Sequence, residues 1–333
     1  METRILTTSD EDIKIAAGLI ATGGLVAFPT ETVYGLGANA LDKVAVAKVY
    51  AAKGRPCDNP MIVHIARASD ISQLALGITK SMVSLIDVFW PGPLTLVAKK
   101  KPEVPDETTG GLDTVAVRMP DSAAALSLIR GARCPIAAPS ANLSGRPSPT
   151  KAAHVIEDLS GKIDAVVAGE DCRVGIESTV IDMTGETPVI LRPGLVTADD
   201  VKAVIGVDVA IDPSLLKKEV DHALLHPKSP GMKYKHYAPK AEMLIVEGRR
   251  GKVAGEIGRL KAENERIGRS VGVILFEEKA FREAAHDFFA RLRELDGEGV
   301  DLILAGALSD TDGVGFAVMN RMLKSAGYNI ARV

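Results

Sequence analysis

Residues 24–65, GLVAFPTETVYGLGANALDKVAVAKVYAAKGRPCDNPMIVHI, decide how the first half of the chain is read. Leu25 to Phe28 is a short apolar run after Gly23-Gly24, which predicts a buried strand. Pro29 ends it. The segment that follows, Thr30-Glu31-Thr32-Val33-Tyr34-Gly35-Leu36-Gly37, reads as a loop whose hydroxyls and glycines let backbone approach a ligand. Asp42 predicts an N-cap for a helix to about Lys53, with Val46, Val49, Tyr50 and Lys53 on one face. Gly54 stops that helix and Pro56 bars its continuation. Residues 61–66 predict a second strand, with Ile62 and His64 facing one way and Met61, Val63 and Ile65 the other. Lys53 and Arg55 thus stand at a helix end, between a hydroxyl-rich loop and a strand carrying His64. That is a place to hold an anion, although the same Lys-Gly-Arg-Pro also reads as an ordinary surface helix stop.

Composition narrows the class. A chain of 333 residues has length for two cores, and 46% hydrophobic with 25% charged residues is globular. No apolar run is long enough to cross a bilayer, and the first residues lack the basic-then-apolar pattern of a secretory leader. Cys57, Cys134 and Cys172 are scattered and form no C-x-x-C pair, so neither a disulfide framework nor a zinc ribbon is expected and a cytoplasmic location is. A net charge of −3 argues against a molecule that binds nucleic acid by its overall field.

Working outward, residues 10–21 predict an amphipathic helix, and residues 69–77 and 80–90 two more. Strands are expected at 94–98, 114–118, 135–138, 165–168, 178–182 and 189–191, with helices from Asp121 to about Arg130 and up to about Leu159. Strands and helices mixed without strict βα alternation predict an α/β fold, a mixed twisted sheet with flanking helices. Residues 1–207 are expected to form this first domain and residues 208–240 a linker or lid. Within residues 211–240 there are four prolines and six lysines against three acids. Residues 241–333 then alternate strand and helix, predicting a small C-terminal doubly wound parallel α/β domain, Rossmann-like in layout.

Several motifs are absent: the P-loop, G-x-G-x-x-G, H-E-x-x-H and the G-x-S-x-G elbow. His222 and His226 share a spacing that suits one helical face, but no third ligand lies near in sequence, so no protein metal site is expected. The positive features are cations and hydroxyls at strand ends. Thr114 and Arg118 lie on one strand face, where an Arg fork suits a carboxylate, though a lone Arg at a strand end is also an ordinary surface residue. The loop 140–148 offers hydroxyls and amides held open by proline and glycine, which suits phosphate or ribose and equally a plain Ser/Pro loop. Ser178 and Arg192 are each weak alone. Together these residues suggest a donor-rich site for a nucleotide and a small acid, with phosphoryl or nucleotidyl transfer by positioning and charge neutralisation.

At this point the residues resemble a known family, the threonylcarbamoyl-AMP synthases in their longer two-domain form. Four blocks match in order: Pro29-Thr-Glu-Thr-Val-Tyr-Gly-Leu; Lys53-Gly-Arg-Pro with Asn59-Pro60; residues 138–149; and Glu177-Ser-Thr-Val with Arg192-Pro-Gly. A fifth, residues 229–239 (SPGMKYKHYAP), marks the two-domain form, and residues 315–322 resemble its C-terminal domain. The resemblance implies an enzyme joining L-threonine, bicarbonate and ATP into threonylcarbamoyl-adenylate and pyrophosphate. Mg2+ is carried by ATP, and the product passes to a tRNA threonylcarbamoyl transferase. Membrane association is not expected, and tRNA binding is expected to be weak or absent. By the same resemblance Lys53, Arg55, Asn59, Thr114, Ser140, Ser148 and Arg192 bind ATP, with Lys53 and Arg55 catalytic. Ser229, Tyr234 and His236 of the fifth block join them, because stacking and cationic groups suit an adenine ring and a triphosphate. Thr32, His64, Arg118, Ala138 and Ser178 bind threonine. Rival readings are an RNA-binding or regulatory protein on the same fold, and a carbamoyltransferase for hydrogenase maturation. The last would add C-x-x-C pairs and an acylphosphatase domain, and neither is present.

Overall fold

The computed structural model describes residues 2–215, 236–308 and 313–333. The first part contains β1 (Arg4–Leu6), α1 (Asp10–Ala21), β2 (Val26–Phe28), β3 (Gly35–Asn39), α2 (Lys43–Lys53) and β4 (Ile62–His64). Next come β5 (Ala75–Leu76), α3 (Lys80–Phe89), β6 (Leu94–Lys100), α4 (Asp106–Thr109), β7 (Thr114–Arg118), α5 (Ala123–Ala132) and β8 (Ile136–Ala137). This part closes with α6 (Ala152–Leu159), β9 (Ala165–Val167), β10 (Thr179–Asp182), β11 (Val189–Arg192), α7 (Ala198–Ile205) and β12 (Ala210–Ile211). The second part contains β13 (Glu242–Glu247), α8 (Arg250–Arg266), β14 (Val271–Ile274), α9 (Phe281–Glu298), β15 (Leu302–Gly306), α10 (Val314–Ser325) and β16 (Ile330–Arg332).

Among the described residues twelve strands build one mixed sheet, in the order β1-β9-β2-β3-β8-β4-β7-β6-β10-β11-β12, with β5 beside β6. The expected mixed twisted sheet with flanking helices is what forms. Helix α2 begins where Asp42 accepts from the Val44 and Ala45 amides and ends at Gly54. Its buried face, Ala45, Val46, Val49 and Tyr50, joins Met61, Val63 and Ile65 in one core. That leaves Ile62 and His64 on the opposite face of β4, as period two requires.

Three local expectations change. Residues 35–39 are a strand, although their glycines read as loop. A Cβ on Gly37 would lie 2.7 Å from Ile136 Cγ2 and 2.8 Å from Phe28 Cε1, so glycine here makes room for side chains of the flanking strands. Residues 69–77 are not an α-helix but a 3-10 turn, Ala68–Gln73, followed by β5. Arg67 supplies no side-chain cap, and Ala75 and Leu76 pair with Lys100 and Lys99 instead. The stretch read as linker begins with Ala210 and Ile211, which add β12 to the edge of the sheet beside Val189 and Ile190. Ser229 and Tyr234, with most of the predicted lid, lie outside the described residues.

The second sheet is wholly parallel, in the order β14-β15-β13-β16. Side chains of β13 alternate between two cores. Val246 meets Val253 and Ile257 of α8 on one face, whereas Met243 and Ile245 meet Phe288, Phe289 and Met322 of α9 and α10 on the other. The α9/α10 core also contains Val33, Val174, Ile176 and Tyr237, so the two sheets share apolar surface. Buried ion pairs cross the same interface: Arg293 Nη2 to Asp158 Oδ2 at 2.8 Å and Arg321 Nε to Glu177 Oε2 at 3.2 Å. No helix among the described residues is long and apolar enough to cross a membrane.

Gly175 is a point of close approach between the two parts. Its φ is +81°, and a Cβ there would lie 2.2 Å from the His286 carbonyl oxygen on α9. Gly175→Ala is therefore expected to destabilise the chain by about 2 kcal/mol or more, through backbone strain and a clash with backbone that cannot swing aside. A thermal melt unchanged from wild type would show that this interface does not contribute to stability.

Candidate active site

A cleft is lined by the loop after β2, by β4 and β7, by residues 138–148, and by Arg55, Glu177, Arg192, His236 and Tyr237. It has two halves. In the first, the parallel register of β4 and β7 sets His64 directly beside Arg118. Arg118 is 3% exposed, and every contact it makes fixes its plane. Its Nε donates to the Gly92 carbonyl at 3.1 Å, Nη1 donates to Thr32 Oγ1 at 2.9 Å, and Nη2 pairs with Glu31 Oε2 at 2.6 Å. Thr32 is itself placed by Thr30, whose hydroxyl lies 2.9 Å from its own and donates to the Val33 carbonyl at 2.6 Å. His64 is buried, with Nδ1 3.2 Å from the Ile62 carbonyl. Burial first, and then the charge of Arg118, push its pKa down to about 3, so the imidazole is neutral at ordinary pH. Donation from Nδ1 to that carbonyl leaves Nε2 as an acceptor. Ala138 lines the same half, its amide donating to the Ile62 carbonyl at 2.9 Å.

The second half is cationic. Arg55 follows the α2 stop, donating from Nε to the Asn59 carbonyl at 3.3 Å and from Nη2 to the Pro60 carbonyl at 2.9 Å. Arg192 ends β11, donating from Nε to the Ser178 carbonyl at 3.0 Å and from Nη2 to Ser178 Oγ at 3.1 Å. Burial draws both guanidinium pKa values down to about 10. Ser148 Oγ donates to Glu177 Oε1 at 2.5 Å, and Glu177 continues to Arg321 on α10. Burial alone would raise the Glu177 pKa, but Arg321 and then Arg192 outweigh it and hold the carboxyl low. His236 lines this half with Nε2 lacking a hydrogen-bond partner among the described residues. Its pKa is driven well below that of an ordinary histidine by burial and then by Arg55.

Most of the sequence-derived site residues meet here: Thr32, His64, Arg118 and Ala138 in one half, and Arg55, Ser140, Ser148, Arg192 and His236 in the other. Four sit differently. Lys53 is 3% exposed and lies beneath the loop, with Nζ donating to the carbonyls of Ser140 and Asn142. Burial, and then the nearby Arg55, lower its pKa well below the ordinary lysine value. Asn59 lies under Arg55 and Ser178 under Arg192, each supporting an arginine from behind. Thr114 begins β7, four residues from Arg118, and falls outside the cleft lining. Sequence reasoning passed over Glu31, Asn142, Glu177 and Tyr237. Glu31 and Glu177 stood inside the quoted motifs, and the requirement that buried arginines find carboxylates was the signal that would have singled them out.

Fold and cleft together define a two-domain α/β protein whose main cleft gathers cationic side chains. A family model described as "Telomere recombination" matches residues 18–194, and one described as "Threonylcarbamoyl-AMP synthase, C-terminal domain" matches residues 196–327. The threonylcarbamoyl-AMP synthase of Pyrococcus abyssi (strain GE5 / Orsay) is 51% identical over 331 residues, 96% of each chain. That of Bacillus subtilis (strain 168) is 46% identical over 344 residues, 98% of this chain and 96% of its own. The crystal structure of P. abyssi Sua5 complexed with L-threonine superposes with a TM-score of 0.92 at 49% identity, covering 100% of this chain and 99% of that one. The chain belongs to the threonylcarbamoyl-AMP synthase family, in its two-domain form, and is an adenylate-forming enzyme.

The depressed pKa of His64 has a measurable consequence. A folded-state value of about 3 against an ordinary 6.5 means that the neutral form is preferred in the fold. The stabilisation is fully present above pH ~6.5 and is lost as pH falls from there toward ~3, because the unfolded chain takes up the proton first. His64→Gln should flatten the stability–pH curve across that window, and the His64 ring protons of the wild type should not titrate between about pH 5 and 8 in NMR spectra. A midpoint near 6.5 would contradict the burial argument.

Proposed function

We propose that the cleft condenses L-threonine, bicarbonate and MgATP into threonylcarbamoyl-adenylate and pyrophosphate, with the two halves holding the two organic substrates. The observation that carries the reading is the division of buried cations. Arg118 faces the half with a neutral histidine and two threonine hydroxyls, whereas Arg55 and Arg192 face the hydroxyl loop. Nε and Nη1 of Arg118 donate to Gly92 and Thr32, and Nη2 lies 2.6 Å from Glu31 Oε2 as an ion pair without hydrogen-bond geometry. N–H groups on both Nη atoms therefore remain for an α-carboxylate, whose two oxygens suit a guanidinium fork. Its similarity to a protein crystallised with L-threonine supports that choice of amino acid.

In the second half Arg55, Arg192 and the hydroxyls of Ser140 and Ser148 suit a triphosphate, and Lys53 holds the loop carbonyls that shape it. Among the described lining residues the carboxylate is Glu177, and it is already engaged by Ser148 and Arg321. Mg2+ therefore suits this site as an ion arriving on ATP rather than one held by a protein cage. The threonine amine attacks the carbon of bicarbonate and water leaves, giving a carbamate. A carbamate oxygen then attacks the α-phosphorus, and the bond to pyrophosphate breaks. No protein nucleophile is needed, so the work of the protein is to orient, to neutralise charge and to exclude water. His64, neutral and buried, offers Nε2 as an acceptor for a threonine hydroxyl or amine. A downstream transferase receives the adenylate, a mixed carbamic–phosphoric anhydride activated for transfer and open to hydrolysis.

Pyrophosphate release should require threonine, bicarbonate and MgATP together, and the adenylate should be visible by mass spectrometry. ATP cleavage to ADP, or equal turnover without threonine, would sink the reading. Arg118→Ala is expected to weaken threonine binding by about 1.5–3 kcal/mol with nucleotide binding kept, and Arg55→Ala to do the reverse. Calorimetric titration of each ligand separates the two, and an exchanged pattern would reverse the assignment of the halves.

A further inference from the structure

Two arginines of the C-terminal sheet domain are buried against the nucleotide half of the cleft. Arg321, on α10, is 0% exposed and is the largest fully buried side chain among the described residues. It reaches out of its own domain: Nε donates to Glu177 Oε2 at 3.2 Å, and Nη1 donates to the Pro193 carbonyl at 2.5 Å. Pro193 is the residue after Arg192, and Glu177 is the acceptor that orients Ser148. Arg293, on α9, donates twice to the carbonyl of Pro147, the residue before Ser148, at 3.1 and 2.6 Å. One domain therefore pins the chain beside Ser148 and beside Arg192, and takes the carboxylate between them.

We propose that Arg321 is a positioning residue for the nucleotide half of the reaction centre, which makes the C-terminal domain the rear wall of the ATP site. This rests on the functional reading above. The physical argument is that a serine hydroxyl has a freely turning rotor and a glutamate side chain three torsions. Ser148 and Glu177 hold one geometry only if something fixes the far carboxylate oxygen, and a guanidinium with a rigid fork does so. Arg321 is fixed in turn, since Ala317, Val318 and Met322 of the same helix sit in the core shared with Val33, Val174 and Ile176. The guanidinium of Arg118 in the threonine half takes no hydrogen bond or ion pair from the C-terminal domain. Arg118 takes its partners from Gly92, Thr32 and Glu31, all in the first domain. Removing Arg321 should thus uncouple the halves: the nucleotide side loses its geometry while the threonine side keeps its own.

The test is calorimetric titration of full-length Arg321→Met with a non-hydrolysable MgATP analogue and, separately, with L-threonine, alongside pyrophosphate release. The expected result is nucleotide affinity weakened about tenfold or more, threonine affinity within about twofold of wild type, and partial recovery in Arg321→Lys. If Arg321→Met does not fold because Glu177 is left as an unpaired buried charge, Arg321→Met/Glu177→Gln removes that charge, and the same selective nucleotide loss is expected of it. Unchanged nucleotide affinity in a folded variant, or equal losses for both ligands, would overturn the assignment. Wild-type protein titrated in parallel keeps the two claims apart. Absence of nucleotide binding there overturns the functional reading and this one with it, whereas normal binding there with unchanged binding in the variant overturns this one alone.

Discussion

Three cationic side chains, Lys53, Arg118 and Arg192, are buried around one cleft and Arg55 is half-buried beside them, and most of their partners are backbone carbonyl oxygens rather than carboxylates. Burying a charge is unfavourable unless it is paired and hydrogen-bonded. Arg118 finds Glu31, while Arg55 and Arg192 make do with dipoles, and burial lowers both of their pKa values to about 10. The fold thus holds positive charge that an incoming anion relieves. The surrounding architecture reads as the means of holding that arrangement. The α2 stop delivers Lys53 and Arg55, the β4/β7 register aligns His64 with Arg118, and the end of β11 delivers Arg192.

The separation of the cations matters as much as their number. Condensing an amino-acid carbamate with ATP brings two anions together, and their repulsion falls when each is neutralised by its own cations. Glu31 and Glu177 fit this division. Glu31 is paired with Arg118 and Glu177 with Arg321, so each carboxylate faces a guanidinium within the protein. Neutral His64 adds a polar contact to the threonine half without adding charge.

Much of this was legible in the sequence because the determinants are local. Asp42 and Gly54 bound α2 to the residue, and the alternation at residues 61–65 puts Ile62 and His64 on the face opposite Met61, Val63 and Ile65, although nothing local marks His64 as other than a core histidine. The C-terminal alternation of strand and helix likewise gave a parallel sheet. What could not be read depends on packing at a distance. Gly35 and Gly37 look like loop residues until Phe28 and Ile136 are seen to need their space. Residues 69–77 have enough apolar residues for a helix, yet the edge of β6 claims Ala75 and Leu76. Glu177 and Arg321 are separated by 144 positions, and nothing in either local pattern announces the other. Lys53 was chosen for its charge, whereas its burial beneath Ser140 and Asn142 follows from how the loop folds back over α2.

The central claim is that one cleft divides into a carboxylate half at Arg118 and a polyphosphate half at Arg55 and Arg192. A crystal structure with L-threonine and a non-hydrolysable MgATP analogue bound together tests it most directly. The account predicts the threonine carboxylate on the Nη groups of Arg118, the triphosphate against Arg55, Arg192 and Ser148, and the α-phosphorus facing the threonine amine. A triphosphate seated on Arg118, or a nucleotide bound outside the cleft, would contradict it.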